Sequence, residues 1–301
     1  MRQARSIIVL AALLAVAPAA RAVTVGVLMT AGVPYYQAVH AVVVDELKKK
    51  QPDAEVVVQT PSADVMAWSN AARRFRALDV DVIVAYGAAA AGVAVTEAGG
   101  IPVVFAAVHA GTFKPPLDAA TGSGWRVAAA SIVKSLHAIT KITKLGVVYS
   151  ANDADSEAQA GEVEAMSGEL SFGAERIKVE AAPELDKRLQ AVDAVYLTGC
   201  GAAMAALDRI VTAARARKVP VASALGGGED KGVVLTVTAS SAELGLGVAQ
   251  AVGRILGGEK PSAIPVMRSK KIDVVINLQE AESLGLKVPL DVLSTATRVI
   301  K

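Results

Sequence analysis

The sequence predicts an α/β protein with two doubly wound parallel-sheet lobes that are joined by a hinge of three crossings. The first observation is a duplication, because residues 81–90 and residues 193–203 both run from an apolar strand through a small-residue turn into a helix. The second observation is that the predicted strands are apolar throughout, which is typical of parallel sheets covered on both faces. Two such sheets create a cleft where the carboxyl ends of their strands meet, and open α/β sheets bind ligands there.

The first 22 residues stand outside this architecture. An apolar run over residues 7–17 follows Arg2 and Arg5, and a small-residue pattern ends at Ala22. This arrangement is typical of a secretory signal peptide that is cleaved after Ala22, so we expect the mature chain in the periplasm. The run is too short to span a bilayer, and no cysteine near the cut could accept a lipid, so we expect no stable membrane insertion.

Composition and charge exclude several classes of protein. The 301-residue chain is 53% hydrophobic and 20% charged, which is a composition typical of globular proteins. Its length is sufficient for two domains. Cleavage of the signal peptide removes three arginines and no acid, so the formal net charge falls from +2 to −1. A near-neutral chain gives no electrostatic reason to expect nucleic acid as a partner. The single cysteine excludes an internal disulfide.

Strand and helix patterns alternate through the first lobe. Strands are predicted at residues 23–29, 55–59, 82–86 and 102–106, and helices at residues 35–49, 64–78 and 88–98. Ser62 or Asp64 is predicted to cap the second helix, and Trp68 shares a face with Phe75, so we expect Trp68 in the core. The Pro- and Gly-rich stretch 111–124 is predicted as a loop that contains the first crossing between the lobes.

The same alternation continues through the second lobe. Strands are predicted at residues 145–150, 175–179, 194–198, 220–223, 232–237 and 272–277, and helices at residues 129–139, 156–170, 183–190, 202–217 and 242–256. The long last helix is expected to return to the first lobe and the tail to the second. The N-terminal lobe is therefore predicted as 23–123 plus 237–265 and the C-terminal lobe as 124–236 plus 266–301, with crossings near 123, 237 and 266.

Several segments together resemble a known family. They are residues 101–105, 144–149, 240–245, 255–266, 274–278 and 284–286. On these residues the chain resembles ABC transporter substrate-binding proteins of the tryptophan- and tyrosine-binding type, within the type I periplasmic binding fold. The resemblance implies a monomer that captures a small-molecule ligand by a hinge motion and delivers it to an ABC permease, with no cofactor and no catalysis.

The cleft loops depart from the family pattern. Hydroxyl-bearing residues of the family are replaced by Gly87, Ala88 and Ala89, and a Thr-Asp-Asn stretch is replaced by residues 199–201. A strongly polar ligand is therefore disfavoured, because buried charges need matching partners. The helices that begin at Gly87 and Gly201 are expected to point unpaired backbone N–H groups into the cleft, where one carboxylate could bind.

We therefore predict a small, largely apolar ligand that is aromatic or bears a carboxylate. The predicted ligand-binding residues are Tyr35, Tyr36, Tyr86, Gly87, Ala88, His109, Trp125, Asp155, Ser156, Cys200, Gly201 and Leu225. Phe113 is a further candidate for the aromatic wall. Structural alternatives stay open for three residues. Trp125 could pack in the hinge, Asp155 could cap a helix, and Asp153 could be a solvated acid in a loop.

Two other functions remain as alternatives. The first is a ligand-sensing envelope receptor subunit that passes its signal to a partner protein. The second is an enzyme that depends on Cys200, because a helix N-terminus lowers the pKa of a thiol. A nucleophile also needs a base and an orienting group, and nothing in the spacing places His109 or another residue in that role. No His, Cys, Asp or Glu spacing indicates a metal site, so we predict neither catalysis nor a metal.

Overall fold

The computed structural model describes residues 22–109, 113, 114, 116 and 118–301. The predicted signal peptide therefore lies outside the described residues except for Ala22. None of the helices in the described part of the chain is long and apolar enough to cross a membrane.

The first lobe is built on a six-stranded sheet in which all strands are parallel. Its strands are β1 (Thr24–Leu28), β2 (Glu55–Gln59), β3 (Val82–Tyr86), β4 (Val103–His109), β5 (Ala120–Trp125) and β11 (Met267–Arg268), in the spatial order β11-β5-β4-β3-β1-β2. Helices α1 (Pro34–Lys50), α2 (Val65–Ala77), α3 (Ala88–Glu97) and α9 (Ser241–Leu256) cover its faces. Because both faces are covered, β3 and β4 are buried along their whole length.

The second lobe is built on a seven-stranded sheet. Its strands are β6 (Lys144–Tyr149), β7 (Gly173–Lys178), β8 (Ala194–Leu197), β9 (Val221–Ser223), β10 (Leu235–Ala239), β12 (Ile272–Asn277) and β13 (Arg298–Ile300), in the spatial order β13-β12-β10-β9-β8-β6-β7. Only the pairing of β10 with β12 is antiparallel. Its helices are α4 (Ala129–Ile139), α5 (Ala154–Ser167), α6 (Ala182–Leu189), α7 (Gly201–Ala205), α8 (Leu207–Arg215), α10 (Leu278–Ser283) and α11 (Leu290–Ser294).

The long helix α9 packs closely against α1 of the first lobe. A Cβ atom at Gly245 would lie 2.6 Å from Val42 Cβ and 2.8 Å from the carbonyl oxygen of Val39. Real Cβ atoms do not approach this closely, so glycine at this position allows the two helix backbones to approach each other. The contact holds a helix that is distant in sequence on the sheet of the first lobe.

The prediction that residues 111–124 form a loop is wrong for its second half. Residues 120–125 form β5, which pairs with β4 and with β11. A Cβ atom at Gly122 would lie 2.1 Å from the carbonyl oxygen of Phe105, so the strand needs glycine where a strand pattern would show a large apolar residue. The composition that indicated a loop reflects close packing against β4.

Three smaller differences concern boundaries. The helix predicted at 202–217 is divided into α7 and α8 at Ala206, and the strand predicted at 232–237 lies at Leu235–Ala239. The tail ends in β13 rather than in short helices alone. The chain passes from one sheet to the other after Trp125, Ala239 and Arg268, each slightly later than the crossings predicted near residues 123, 237 and 266.

The two lobes are in direct contact. One cluster of buried apolar side chains runs from β1 and α1 of the first lobe, through Tyr36 and Trp125, into β6, β8 and α7 of the second lobe. A second, smaller cluster around Phe75 and Phe105 lies within the first lobe on the other face of its sheet. The structure is therefore a closed arrangement, in which the carboxyl ends of the two sheets face each other.

Candidate functional site

A small cavity lies between the lobes, at the carboxyl ends of β1, β3, β6 and β8. Its volume is about 10 Å³, which is room for roughly one water molecule. We call it the interlobe cavity, and it is lined by Thr30, Tyr36, Trp68, Gly87, Ala89, Ala90, Ser150, Asp153, Gly201 and Ala202. The predicted residues Tyr36, Gly87 and Gly201 are among them, so the cleft lies where the strand order predicts it.

Glycines allow the lobes to meet at this point. Gly87 has a φ of +85° and its Cβ position would lie 2.7 Å from the Tyr36 hydroxyl oxygen. Across the cleft, a Cβ atom at Gly201 would lie 2.8 Å from Thr30 Cγ2. Only glycine fits both the left-handed backbone and the contact at Gly87. The small residues of these turns therefore serve lobe closure as well as helix initiation.

Asp153 lies at the centre of the interlobe contact. Its carboxylate accepts a hydrogen bond from the Ser156 backbone N–H at 3.0 Å and caps α5. The backbone N–H of Ala89, in the first turn of α3 on the other lobe, also stabilises the charged form of this carboxylate. Burial raises the pKa of Asp153, and these N–H groups oppose the rise. The solvated loop position suggested for Asp153 is wrong, since this residue is buried.

The contact with Asp153 involves an N–H group of the kind that the sequence predicts to be unpaired in the cleft. The first turn of α3 faces a carboxylate that the protein itself supplies. In the second lobe, the Ala203 N–H at the start of α7 donates to Cys200 Sγ at 3.4 Å. At least one first-turn N–H of each helix therefore faces an acceptor that the protein supplies.

Asp155 forms a second connection between the lobes. Its Oδ2 accepts a hydrogen bond from the backbone N–H of His109, at the end of β4, at 2.5 Å. The cap of α5 is Asp153, so the alternative that Asp155 caps the helix is wrong. A hydrogen bond to a charged group is stronger than one between neutral groups, so this contact stabilises the closed arrangement.

Trp125 lies at the end of β5 and packs against the second lobe. A Cβ atom at Gly199 would lie 2.7 Å from Trp125 Cζ2, and the His109 ring stands edge-on to the indole with centroids 5.3 Å apart. Burial lowers the pKa of His109, which keeps the imidazole neutral. Gln159 Oε1 accepts from the Gly199 N–H at 2.8 Å and fixes this turn. Trp125 is thus part of the lobe contact, beside the interlobe cavity.

Ser156 is buried below the cavity, inside the second lobe. Its hydroxyl oxygen accepts from the Ser150 backbone N–H at 2.9 Å and lies 2.6 Å from Thr198 Oγ1. Both bonds stay within the lobe and connect the ends of β6 and β8. The hydroxyl therefore stabilises the loops that carry Ser150 and Asp153.

The environment of Cys200 differs from that of a reactive thiol. Burial, together with the charge of Asp153, raises the pKa of Cys200 to about 11. The expected lowering by a helix N-terminus is outweighed, because α7 is one short turn and the thiol is buried. The thiol is therefore neutral at physiological pH.

The remaining predicted residues lie around this centre. The Tyr35 hydroxyl donates to the carbonyl oxygen of Ala239 at 2.7 Å, which connects α1 to the second crossing. The Tyr86 hydroxyl lies 3.1 Å from His40 Nδ1 within the first lobe. Ala88 and Leu225 are buried in the first turn of α3 and after β9. Phe113 packs edge-on against Phe105, within the second apolar cluster.

Sequence reasoning missed several lining residues. They are Thr30, Trp68, Ala90, Ser150 and Ala202, together with Asp153, for which the sequence suggests a solvated loop position. Trp68 packs in the core as predicted, but it also reaches the interlobe cavity from the first turn of α2. The position of these residues in the chain could have indicated some of them, because the turn after each parallel strand lies at the edge of the sheet where ligands bind.

Two buried donors of the cavity have no partner in the described part of the chain. They are the Tyr36 hydroxyl and Trp68 Nε1. A buried polar group without a partner costs about 1–3 kcal/mol. Other buried atoms away from the cavity, such as Thr236 Oγ1, share this condition, so what distinguishes these two donors is that their residues line the cavity. These atoms indicate a place where a bound molecule could supply the missing contacts.

The electrostatic environment of the cavity is acidic. Among the described residues that line it, Asp153 is the only acidic one, and none is basic. Ser150, on the same wall, donates a hydrogen bond to Glu180, whose charge adds to the raised pKa of Asp153. A positive charge about 4 Å from a carboxylate gains about 4 kcal/mol at an effective dielectric constant near 20. In the described residues no group of His, Cys, Asp or Glu could hold a metal ion.

Several solved structures are similar to this protein. A conserved domain protein from Vibrio cholerae is 23% identical with a TM-score of 0.85, covering 93% of this chain and 100% of that chain. An ABC domain in complex with L-Trp from Streptococcus pneumoniae is 21% identical with a TM-score of 0.84 and the same coverage. A ligand-free, open substrate-binding protein with adhesive properties from Clostridium difficile is 20% identical with a TM-score of 0.63, covering 92% of this chain and 99% of that chain.

These likenesses show the type I periplasmic binding fold, with two parallel-rich α/β sheets, as predicted. A search of curated proteins finds no match to this sequence. The family model for the ABC transporter substrate binding protein matches residues 22–300, which is nearly the whole described chain. The chain therefore belongs to the family of ABC transporter substrate-binding proteins.

Proposed function

We propose that this protein is a periplasmic solute-binding protein that captures a small, largely apolar ligand between its lobes and delivers it unchanged to an ABC permease in the inner membrane. The observation that carries the proposal is the pair of unpartnered buried donors, Tyr36 OH and Trp68 Nε1, at the interlobe cavity. A ligand that pairs them removes a penalty of about 1–3 kcal/mol for each. Family membership supports the role of solute capture.

The chemistry of the walls supports a largely apolar ligand. Tyr36 and Trp68 offer aromatic surface, and Ala89, Ala90 and Ala202 offer small apolar surface. Apolar surface that leaves water contributes about 25 cal/mol per Å², so an aromatic body is the shape that these walls favour. A carboxylate-bearing end receives less support, because Asp153 already faces the first turn of α3.

The proposed mechanism is capture by hinge closure. In the closed arrangement the cavity holds about 10 Å³, so a ligand of several carbon atoms keeps the lobes further apart than they are here. We propose that the two lobes rotate as units about the segments after Trp125, Ala239 and Arg268. Ligand binding shifts the equilibrium toward a closed form only through contacts that the open form lacks. A neutral, buried Cys200 supports binding without catalysis.

The test starts with protein purified from its host. Native mass spectrometry, followed by extraction, should identify a co-purifying small molecule, and adding that molecule to the stripped protein should change the small-angle scattering curve. Reconstitution with the neighbouring permease should then give ligand uptake that depends on this protein. Absence of any bound molecule from host protein, combined with unchanged scattering across a library of small apolar compounds, would contradict the proposal.

A further inference from the structure

We propose that the ligand carries a protonated amine, and that Asp153 is the residue that selects this amine over a carboxylate. This proposal rests on the proposed function, that is, on capture of a small molecule in the interlobe cavity. The inference names the class of ligand for the interlobe cavity. It depends on the charge of the cavity, on the unpartnered hydroxyl beside it and on the contact that Asp153 makes with α3.

The charge of the cavity is the first step. Asp153 is only 5% exposed and forms no ion pair with any described residue. Among the described residues only backbone N–H groups balance its carboxylate, and Glu180 adds a second negative charge nearby. A buried charge favours an opposite charge close to it. A ligand cation is the partner that this site lacks.

The Tyr36 hydroxyl gives independent support. Tyr36 is fully buried, its hydroxyl has no described partner, and its oxygen lies against Gly87 on the wall of the cavity. A hydroxyl oxygen can accept a hydrogen bond from an ammonium group. The rings of Tyr36 and Trp68 also offer the aromatic surface that attracts organic cations. An amine therefore finds an acid, an acceptor and aromatic rings in one place.

The same geometry disfavours a ligand carboxylate. The backbone N–H groups in the first turn of α3 are the donors that an anion would use, and Asp153 lines the same cavity as Ala89 from the opposite lobe. A ligand carboxylate at this turn would lie beside Asp153, and two like charges at short range repel each other. Trp68 Nε1 offers one neutral donor to an anion, which is weaker than that repulsion.

The experiment compares three probes of one shape. Purified mature protein is titrated by calorimetry with phenethylamine, 3-phenylpropionate and L-phenylalanine, which carry an amine, a carboxylate or both. We expect phenethylamine to bind at least tenfold more tightly than 3-phenylpropionate. A preference for the carboxylate, or no binding of phenethylamine at millimolar concentration, would overturn the inference.

Variants identify the residue responsible. Asp153→Asn keeps a helix cap, because asparagine caps helices as well as aspartate does, and should weaken phenethylamine binding at least tenfold without weakening 3-phenylpropionate. Asp193→Asn removes a carboxylate from the same lobe at the opposite ends of β6 and β8, where Asp193 accepts from the Thr143 and Lys144 N–H groups, and should leave both affinities unchanged. Equal phenethylamine affinities in wild type and Asp153→Asn would overturn the role of Asp153.

A further variant covers the case in which Asp153→Asn does not fold. Tyr36→Phe removes only the unpartnered hydroxyl and should lower phenethylamine affinity several-fold while the fold is retained. The inference and the proposed function fail in different ways. A co-purifying carboxylate without an amine would refute the inference and leave solute capture standing, whereas a host protein that carries no small molecule and does not respond to any probe would refute both.

Discussion

Asp155 and His109 belong to different lobes, and the carboxylate of Asp155 accepts a hydrogen bond from the backbone N–H of His109 at 2.5 Å. The donor is the last residue of β4, and the acceptor lies in the first turn of α5. Both residues are buried, so the bond is protected from competing water. Closure of the lobes is therefore stabilised by the protein's own side chains as well as by any ligand.

Removal of the Asp155 carboxylate is expected to open the ligand-free protein. A hydrogen bond to a charged group contributes about 1.5–3 kcal/mol, so Asp155→Ala should shift the lobes toward an open form and increase the radius of gyration in small-angle scattering. Asp155→Asn keeps an acceptor oxygen and should retain more of the closed form. Superimposable scattering curves for Asp155→Ala and wild type would show that this bond does not control closure.

The two tyrosines at the start of α1 should respond in opposite ways to loss of a hydroxyl. The Tyr35 hydroxyl donates to Ala239, so Tyr35→Phe should lower the free energy of unfolding by about 1 kcal/mol. The Tyr36 hydroxyl has no partner in the described part of the chain, so Tyr36→Phe should leave the free energy of unfolding unchanged or raise it. Urea denaturation of both variants measures the difference. A larger loss for Tyr36→Phe than for Tyr35→Phe would be inconsistent with these hydrogen-bond assignments.

Asp153 and Asp193 should give pH dependences of opposite sign. Burial raises the folded-state pKa of Asp153, so its charge opposes folding above that pKa, and Asp153→Asn should stabilise the protein at neutral pH. This gain should shrink as the pH falls through the raised pKa toward 3.8, the ordinary value for an aspartate.

Hydrogen bonds from Thr143 lower the pKa of Asp193, so its stabilisation is present above the unfolded-state pKa and is lost as the pH falls. Asp193→Asn should therefore destabilise the protein at neutral pH, and less so in acid. Urea denaturation from pH 7.5 downward tests both variants. Stabilisation by Asp193→Asn, or a loss of stability in Asp153→Asn at neutral pH, would contradict the opposite signs expected for the two carboxylates.

Cys200 is expected to be unreactive while the protein is folded. Its pKa of about 11 leaves very little thiolate at pH 8, and the side chain is buried. Iodoacetamide should therefore modify Cys200 slowly in the native protein and rapidly in urea, as measured by intact mass. Rapid modification of the native protein at pH 8 would show that the thiol is accessible and ionised.

The sequence predicted most of the fold because its turns are clearly marked. Strands β2, β3 and β12 and helix α4 have the predicted bounds, since each is an apolar or periodic run between Gly, Pro or polar residues. Strand β5 was missed because Gly122 is required for contact with Phe105, and this removes the apolar signal of a strand.

The candidate site could be predicted in position but only partly in detail. The rule for parallel sheets places Tyr36, Gly87 and Gly201 at the cleft. Which of Asp153 and Asp155 caps α5, and which of them reaches across to His109, depends on the three-dimensional path of the loop after β6. The thiol pKa of Cys200 likewise depends on burial in the folded protein, which no local pattern records.

Asp153 and Asp155 are two residues apart, yet they contact the first lobe at separate points, the start of α3 and the end of β4. A single point of attachment leaves two bodies free to rotate about it in any direction, whereas two points restrict their relative rotation to the axis that joins those points. Whenever both contacts form, the lobes of this protein therefore meet in a restricted range of mutual orientations, and the surface that they jointly present outward varies little among such closures.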